Sequence, residues 1–254
     1  MPTALFLSPH LDDVAFSCGG TLAALSAAGW RCVLATAFTR SVPNPTGFAL
    51  RCQTDKGLAA TVDYLAVRRA EDAEFARAVG AADVLWLDFP EAPHRGYESA
   101  PELFAGVKPG DDVWQPLAER VAGLTLAHGP ELVFVPQGLG NHADHRQLIR
   151  AVAQVVPPDA VTRYRDTPYV LRDPDGISER PLFAVPLGDH LAAKLDGCAA
   201  YRTQLVFQFG GEASMREKLT AFAIDEGRVA GLEGPAERFS GRGVAADAAR
   251  HGFQ

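Results

Sequence analysis

Cysteine is scarce in this chain, and the four present (Cys18, Cys32, Cys52 and Cys198) never fall into Cys-x-x-Cys spacing. They read as reduced thiols of a cytoplasmic protein, not as a disulfide framework. No apolar run approaches the roughly 20 residues that span a bilayer, which argues against membrane insertion. The first apolar run stops at Ser8 with no basic segment before it, too short for a signal peptide. Clusters of Lys and Arg are missing as well. With 24 basic against 31 acidic residues and a formal net charge of −7, the chain lacks the positive footprint of a nucleic-acid binder. A Gly-x-Gly-x-x-Gly loop is also absent, which speaks against a dinucleotide site.

What remains is ordinary globular composition, 47% hydrophobic and 22% charged. It reads as one domain over 1–254, with a core over 1–156, further strands and helices over 157–231, and a Gly/Ala/Arg-rich tail over 232–254 expected to be flexible. Strands are predicted over 3–8, 31–38, 83–89 and 131–136. Helices are predicted over 19–29, 66–80, 113–127 and 141–156, and long loops over 39–63 and 90–112. Short strands alternating with longer helices predict an α/β chain with a mostly parallel sheet covered on both faces. Later strands are expected over 160–171 and 181–187, and helices over 189–206 and 212–230.

The stretch "LFLSPHLDDVAFSCGG" (5–20) breaks from an apolar strand into His10, Asp12 and Asp13. Burying such groups unpaired would cost several kcal/mol each. Sites in parallel sheets lie at the carboxyl ends of the strands, and "GLGNHADHRQL" (138–148) also follows a predicted strand. Both segments therefore belong on one sheet edge. A catalytic zinc takes three protein ligands and keeps a position for water. His10, Asp13 and His145 would supply two imidazoles and a carboxylate, leaving Asp12 free as a general base. Asn141 reads as the N-cap of the 141–156 helix, with Asp144 returning a hydrogen bond to it. His142 and His145 lie three residues apart and face one cavity, where one can bind metal while the other donates to an oxyanion. Gly138 and Gly140 let the backbone before them approach closely. Taken singly, each feature has a blander reading: a hydrogen-bonded histidine, a solvated turn, a polar helix face.

"PHLDDVAFSCGGTLAAL" and "GLGNHADH" resemble the two signature motifs, PHPDDE and HPDH or HVDH, of the PIG-L/LmbE family of zinc-dependent N-deacetylases. The resemblance covers residues 4–156 and extends to "RRAEDAEFARAVG", similar to the family's RxxExxxAxxLG helix, with Arg68 and Glu71 on its positions. It implies a Rossmann-like three-layer fold and a Zn2+ ion on His10, Asp13 and His145, although Fe2+ or another divalent ion suits the same ligands. It further implies Asp12 as base, and His142, protonated and oriented by Asp144, as the group that stabilises the tetrahedral intermediate. The reaction implied is removal of an acetyl group from a small-molecule amino-sugar conjugate containing N-acetylglucosamine. Two departures stand out: Leu11 replaces the family proline, and Val14 replaces its glutamate, a missing carboxylate expected to alter metal affinity.

Substrate contacts are expected from Arg68, whose fork suits a substrate oxygen or phosphate unless it pairs with Glu71 or Asp72. Asp88, at the end of the third strand, is expected to meet sugar hydroxyls. His94, Arg95 and Tyr97, on the following loop, and Asp166 in "RYRDTPY" are candidate walls. The alternatives are a zinc hydrolase of another amide or ester, and a non-catalytic sugar- or nucleotide-binding module. Asp12, which no structural zinc site needs, argues against the module.

Overall fold

The apolar runs at 3–8, 31–38 and 131–136 have no polar face, and both sides of each are buried. Ala4, Phe6, Cys32, Leu34, Leu132 and Phe134 point into one core, while Leu5, Leu7, Val33, Ala35, Val133 and Val135 point into another. Strict alternation of this kind is the signature of strands covered on both faces. The structure, a computed structural model, describes residues 1–173 and 183–241.

In chain order the elements are β1 (Thr3–Ser8), α1 (Asp13–Ala27), β2 (Arg31–Phe38), α2 (Gly47–Thr54), α3 (Tyr64–Val79) and β3 (Asp83–Phe89). Next come α4 (Ala100–Phe104), α5 (Trp114–His128), β4 (Leu132–Pro136), α6 (Ala143–Val155), β5 (Val161–Tyr164) and α7 (Tyr169–Arg172). The chain continues through β6 (Phe183–Pro186), α8 (His190–Cys198), α9 (Arg202–Phe209), α10 (Glu212–Val229) and β7 (Ala236–Gly241). The sheet order is β3-β2-β1-β4-β5-β7-β6. The first five strands are parallel, and β7 runs antiparallel to both β5 and β6. Helices α1, α3 and α8–α10 cover one face, and α5 and α6 the other. The three-layer α/β arrangement is therefore as expected.

The structure differs from these expectations at four places. Within the 232–254 tail expected to be flexible, Ala236–Gly241 form β7, a buried strand, and 242–254 lie outside the described residues. In β7, Glu237 and Ser240 are 5% and 1% exposed, satisfied by Lys194 and Gln137. Helix α1 starts at Asp13, ahead of the predicted 19–29, and its backbone leaves helical geometry at Cys18. The predicted start is a second beginning within it: Glu237 accepts the Gly20 and Thr21 amides at 3.2 and 2.8 Å, as a cap would. The strand expected over 160–171 ends at Tyr164, and 169–172 is a helical turn. The helix expected over 189–206 is two helices, α8 and α9.

Chain direction along the sheet reverses between β1 and β4, since β2 and β3 build outward on one side and β5 on the other. A crevice opens at such a reversal, beyond the carboxyl ends of the strands.

Candidate active site

Two segments meet in that crevice: the turn after β1, which leads into α1, and the turn after β4, which leads into α6. Ser8 Oγ donates to the His10 carbonyl at 2.6 Å and accepts the Val14 amide at 3.3 Å, folding the first turn tightly. The His10 amide in turn donates to Asp13 Oδ2 at 2.7 Å. In the second turn Gly138 and Gly140 take φ of +88° and +75°. A Cβ on Gly140 would come within 2.8 Å of the Tyr169 ring, so close approach requires glycine there.

The two imidazoles converge on one carboxylate oxygen. His10 Nδ1 lies 3.2 Å and His145 Nε2 3.4 Å from Asp13 Oδ2. Each ring gives its other nitrogen to a separate acid: His10 Nε2 donates to Asp144 Oδ2 at 2.9 Å, and His145 Nδ1 to Asp166 Oδ1 at 2.6 Å. An outer carboxylate that fixes the tautomer and aims the opposite lone pair is the usual support of a metal-ligating histidine. His145 Nε2 is fully buried and, among the described residues, has no well-formed hydrogen bond beyond that 3.4 Å approach to Asp13, a condition that costs about 1–3 kcal/mol. The donor atoms of His10, Asp13 and His145 all lie within 4.8 Å of one another, and two imidazoles with one carboxylate form a donor set suited to a divalent ion. The residues fit a metal.

His10, His142 and Asp144 meet the same spacing, but Asp144 is already committed. It accepts Arg95 Nη1 at 2.8 Å and the Ala92 amide at 3.0 Å besides His10. The electrostatics favour positive charge at Asp13. Burial would depress the His145 pKa, yet Asp13 and Asp166 lift it to about 9. Asp13 and Asp144 likewise overcome burial at His10 and raise its pKa. Asp13 stays below the usual carboxylate range because both imidazoles outweigh its own burial.

Asp12, 6% exposed, is the neighbouring acid outside that contact. Its Oδ2 lies 3.3 Å from Arg68 Nη2, and burial, opposed by Arg68, raises it above the usual carboxylate range. Arg68 itself is 4% exposed and donates to Glu91 Oε1 at 2.8 Å and to the Leu11 carbonyl at 3.1 Å. Its fork is thus spent on the protein, on neither Glu71 nor Asp72: Glu71 accepts Thr203, and Asp72 accepts Trp86 and Tyr201.

The N-cap of α6 is His142, not Asn141. His142 Nδ1 accepts the Asp144 amide at 3.1 Å, so its hydrogen sits on Nε2, and burial together with the charge on His10 lowers its pKa to about 3. Asp144 thus orients a neutral His142 through its backbone, while its carboxylate serves His10. Asp88 does not join the cleft. Its side chain is 69% exposed and pairs with Arg40 at 3.2 Å. Arg95 and Tyr97 both bind Asp111 and so tie down the 90–112 loop. The support role of Asp166 was missed, although its position just after β5 on the same edge is the signal for it. The cleft has a volume of about 320 Å3, with the acids and imidazoles as its floor and Phe104, Tyr169 and Phe207 among its walls.

The profile of the GlcNAc-PI de-N-acetylase family, PIG-L, matches residues 5–156. The chain belongs to the PIG-L family. It is an N-deacetylase of the hydrolase class, and PIG-L deacetylases are metal-dependent. A 2'-N-acetylparomamine deacetylase of Streptomyces fradiae is 32% identical over 213 residues, covering 79% of this chain and 72% of its own. The enzyme of that name in Niallia circulans is 29% identical, covering 84% of each chain. Among solved structures, a teicoplanin deacetylase in a zinc-inhibited form aligns with a TM-score of 0.78 at 24% identity, over 93% of this chain and 96% of that one. A Pseudomonas 4-carboxy-2-hydroxymuconate hydratase shares the fold at a TM-score of 0.65 and 17% identity, over 94% of this chain and 95% of its own. The fold alone therefore does not set the reaction. Among the described residues, no helix is long and apolar enough to cross a membrane.

Proposed function

We propose that this PIG-L chain removes the acetyl group from a 2-acetamido sugar joined to a further ring, with Zn2+ held by His10, Asp13 and His145. The observation that carries the reading is the convergence of two carboxylate-braced imidazoles on one Asp13 oxygen, with the separate acid Asp12 beside them. A divalent cation held there polarises an acyl carbonyl and acidifies water.

The remaining work belongs to side chains. Asp12, its proton affinity raised by burial, takes the proton of the attacking water and returns it to the departing amine. Arg68, itself braced by Glu91, holds Asp12 in place, so it acts by positioning the base and not as a free fork for substrate. His142 donates its Nε2 hydrogen to the oxyanion; losing one such donor costs about 10²–10³ in kcat. A binding module would not need an acid of raised proton affinity beside the metal site. The substrate reading leans on the relatives that act on 2'-N-acetylparomamine. Four unpaired thiols support a cytoplasmic location.

The test is amine release from N-acetylglucosaminides of varied aglycone by the zinc-loaded protein, with and without chelator. Release that chelator abolishes is expected. Silence across the panel would overturn the reading.

A further inference from the structure

Behind the cleft lies a second cavity of about 290 Å3, and Cys52, Glu91 and Pro93 line both spaces. Its other walls come from residues 41–45, α2 and residues 60–63, all in the stretch between β2 and α3 that carries none of the catalytic motifs, and from Tyr64, Leu65 and His94. Neither Lys nor Arg is among its lining residues, and its carboxylates are those of Asp63 and Glu91. His94 adds no positive charge, because burial lowers its pKa. Asp63 is engaged as the cap of α3, accepting the Ala66 amide at 2.9 Å and Ser41 Oγ at 2.6 Å.

Glu91 is different. It is 8% exposed, and Oε1 takes the Arg68 guanidinium at 2.8 Å, but Oε2 accepts no hydrogen bond among the described residues. Glu91 lines both cavities, and a carboxylate oxygen open to a cavity accepts whatever donors enter it; those a small molecule brings are hydroxyl and ammonium groups.

We infer that the second cavity is a subsite for the ring attached to the acetamido sugar, that it takes a ring bearing hydroxyl and ammonium groups, and that Glu91 Oε2 receives a donor of that ring where the two cavities meet. The inference rests on the deacetylation reading for its orientation: the acetamido group lies over Asp13, and the rest of the conjugate extends across Cys52 and Pro93. An anionic ring is disfavoured, because no Lys or Arg lines the cavity to receive its charge and the Arg68 guanidinium beyond Glu91 is already paired.

Binding tests this separately from turnover. Paromamine, a two-ring amine, and methyl glucosaminide, a one-ring amine, are titrated calorimetrically into the zinc-loaded full chain. The wild type should bind paromamine at least about tenfold more tightly. Ala49→Trp, which fills the second cavity and lies outside the cleft lining, should erase that gain and leave methyl glucosaminide unchanged. Equal binding by the wild type, or a gain that survives Ala49→Trp, overturns the subsite. Glu91→Gln keeps the shape and removes the charge. It should cut the preference for paromamine over a two-ring glucosaminide with hydroxyls only by about tenfold, and an unchanged preference removes Glu91 from the role. If the binding pattern holds while N-acetylated conjugates yield no free amine, deacetylation fails and the subsite stands. If amine is released without the pattern, the reverse is true.

Discussion

His10 and His145 reach the same Asp13 oxygen from opposite sides of the reversal in strand order, but the two sides are supported differently. On the β1 side His10 leans on Asp144, whose charge is matched by Arg95, itself forked onto Asp111 at 3.1 and 2.9 Å. On the β4 side His145 leans on Asp166, whose second oxygen accepts, among the described residues, only the Gly138 and Leu139 amides, at 2.9 and 3.2 Å. The His10 side chain keeps 12% exposure and that of His145 none. An acid neutralised by a guanidinium lends its imidazole less basicity than one held by neutral amides in a dry setting. At the proposed metal site the β4 side would therefore supply the stronger ligand, and the β1 side an adjustable one.

The largest break is at the point the two sides share. Asp13→Ala should leave both imidazoles without their common carboxylate, so bound metal, measured by elemental analysis after desalting, should vanish together with turnover. Asp12→Asn separates holding metal from using it. Metal content should stay at the wild-type level while kcat falls about 10²–10⁴, the span a general base contributes. An Asp12→Asn enzyme of wild-type rate would remove Asp12 from the base role.

That floor was legible because its parts are short-range. His10, Asp12 and Asp13 share one turn, and His142, Asp144 and His145 another, so the sequence carries their spacing and the strands before them bring the turns together. The supports were not legible, for a physical reason. Asp166 matters only because β5 lies in register beside β4, and Arg95 only because the 90–112 loop folds back onto α6. β7 was hidden in the same way: "AERFSG" has no apolar alternation, and its Glu237 is buried only because Lys194 and the broken start of α1 await it. Val14, expected to mark a missing carboxylate, is 1% exposed in the core beneath α1, where glutamate would have to be buried.

Asp166→Asn and Asp144→Asn sharpen the comparison. Outer carboxylates of metal-bound histidines contribute about 10–100-fold in affinity. Asp166→Asn is expected near the upper end and Asp144→Asn near the lower, read by competition with a chromophoric chelator. The opposite order would refute the unequal supports. Proton competition gives a second reading. Since His145 is lifted to about 9, a metal entering at neutral pH displaces a proton. Affinity should therefore rise with pH, about tenfold per unit for each proton displaced, and level off once the imidazoles are neutral. Removing the Asp166 charge lowers the folded-state pKa of His145, so the plateau should arrive at lower pH in Asp166→Asn.

The smallest effect is expected at the mouth. Phe207 is 58% exposed on the cleft wall, its ring 5.4 Å from the Lys56 ammonium. It touches none of the acids or imidazoles of the floor through a hydrogen bond or ion pair, so it can contribute apolar cover to a bound sugar but no transition-state charge. Phe207→Ala should therefore raise KM about threefold and leave kcat unchanged, the pattern of binding lost equally from ground and transition states. Metal affinity should match the wild type. A fall in kcat instead would mean that the wall helps to exclude water from the floor, and that the division between a chemical floor and a binding mouth is drawn in the wrong place.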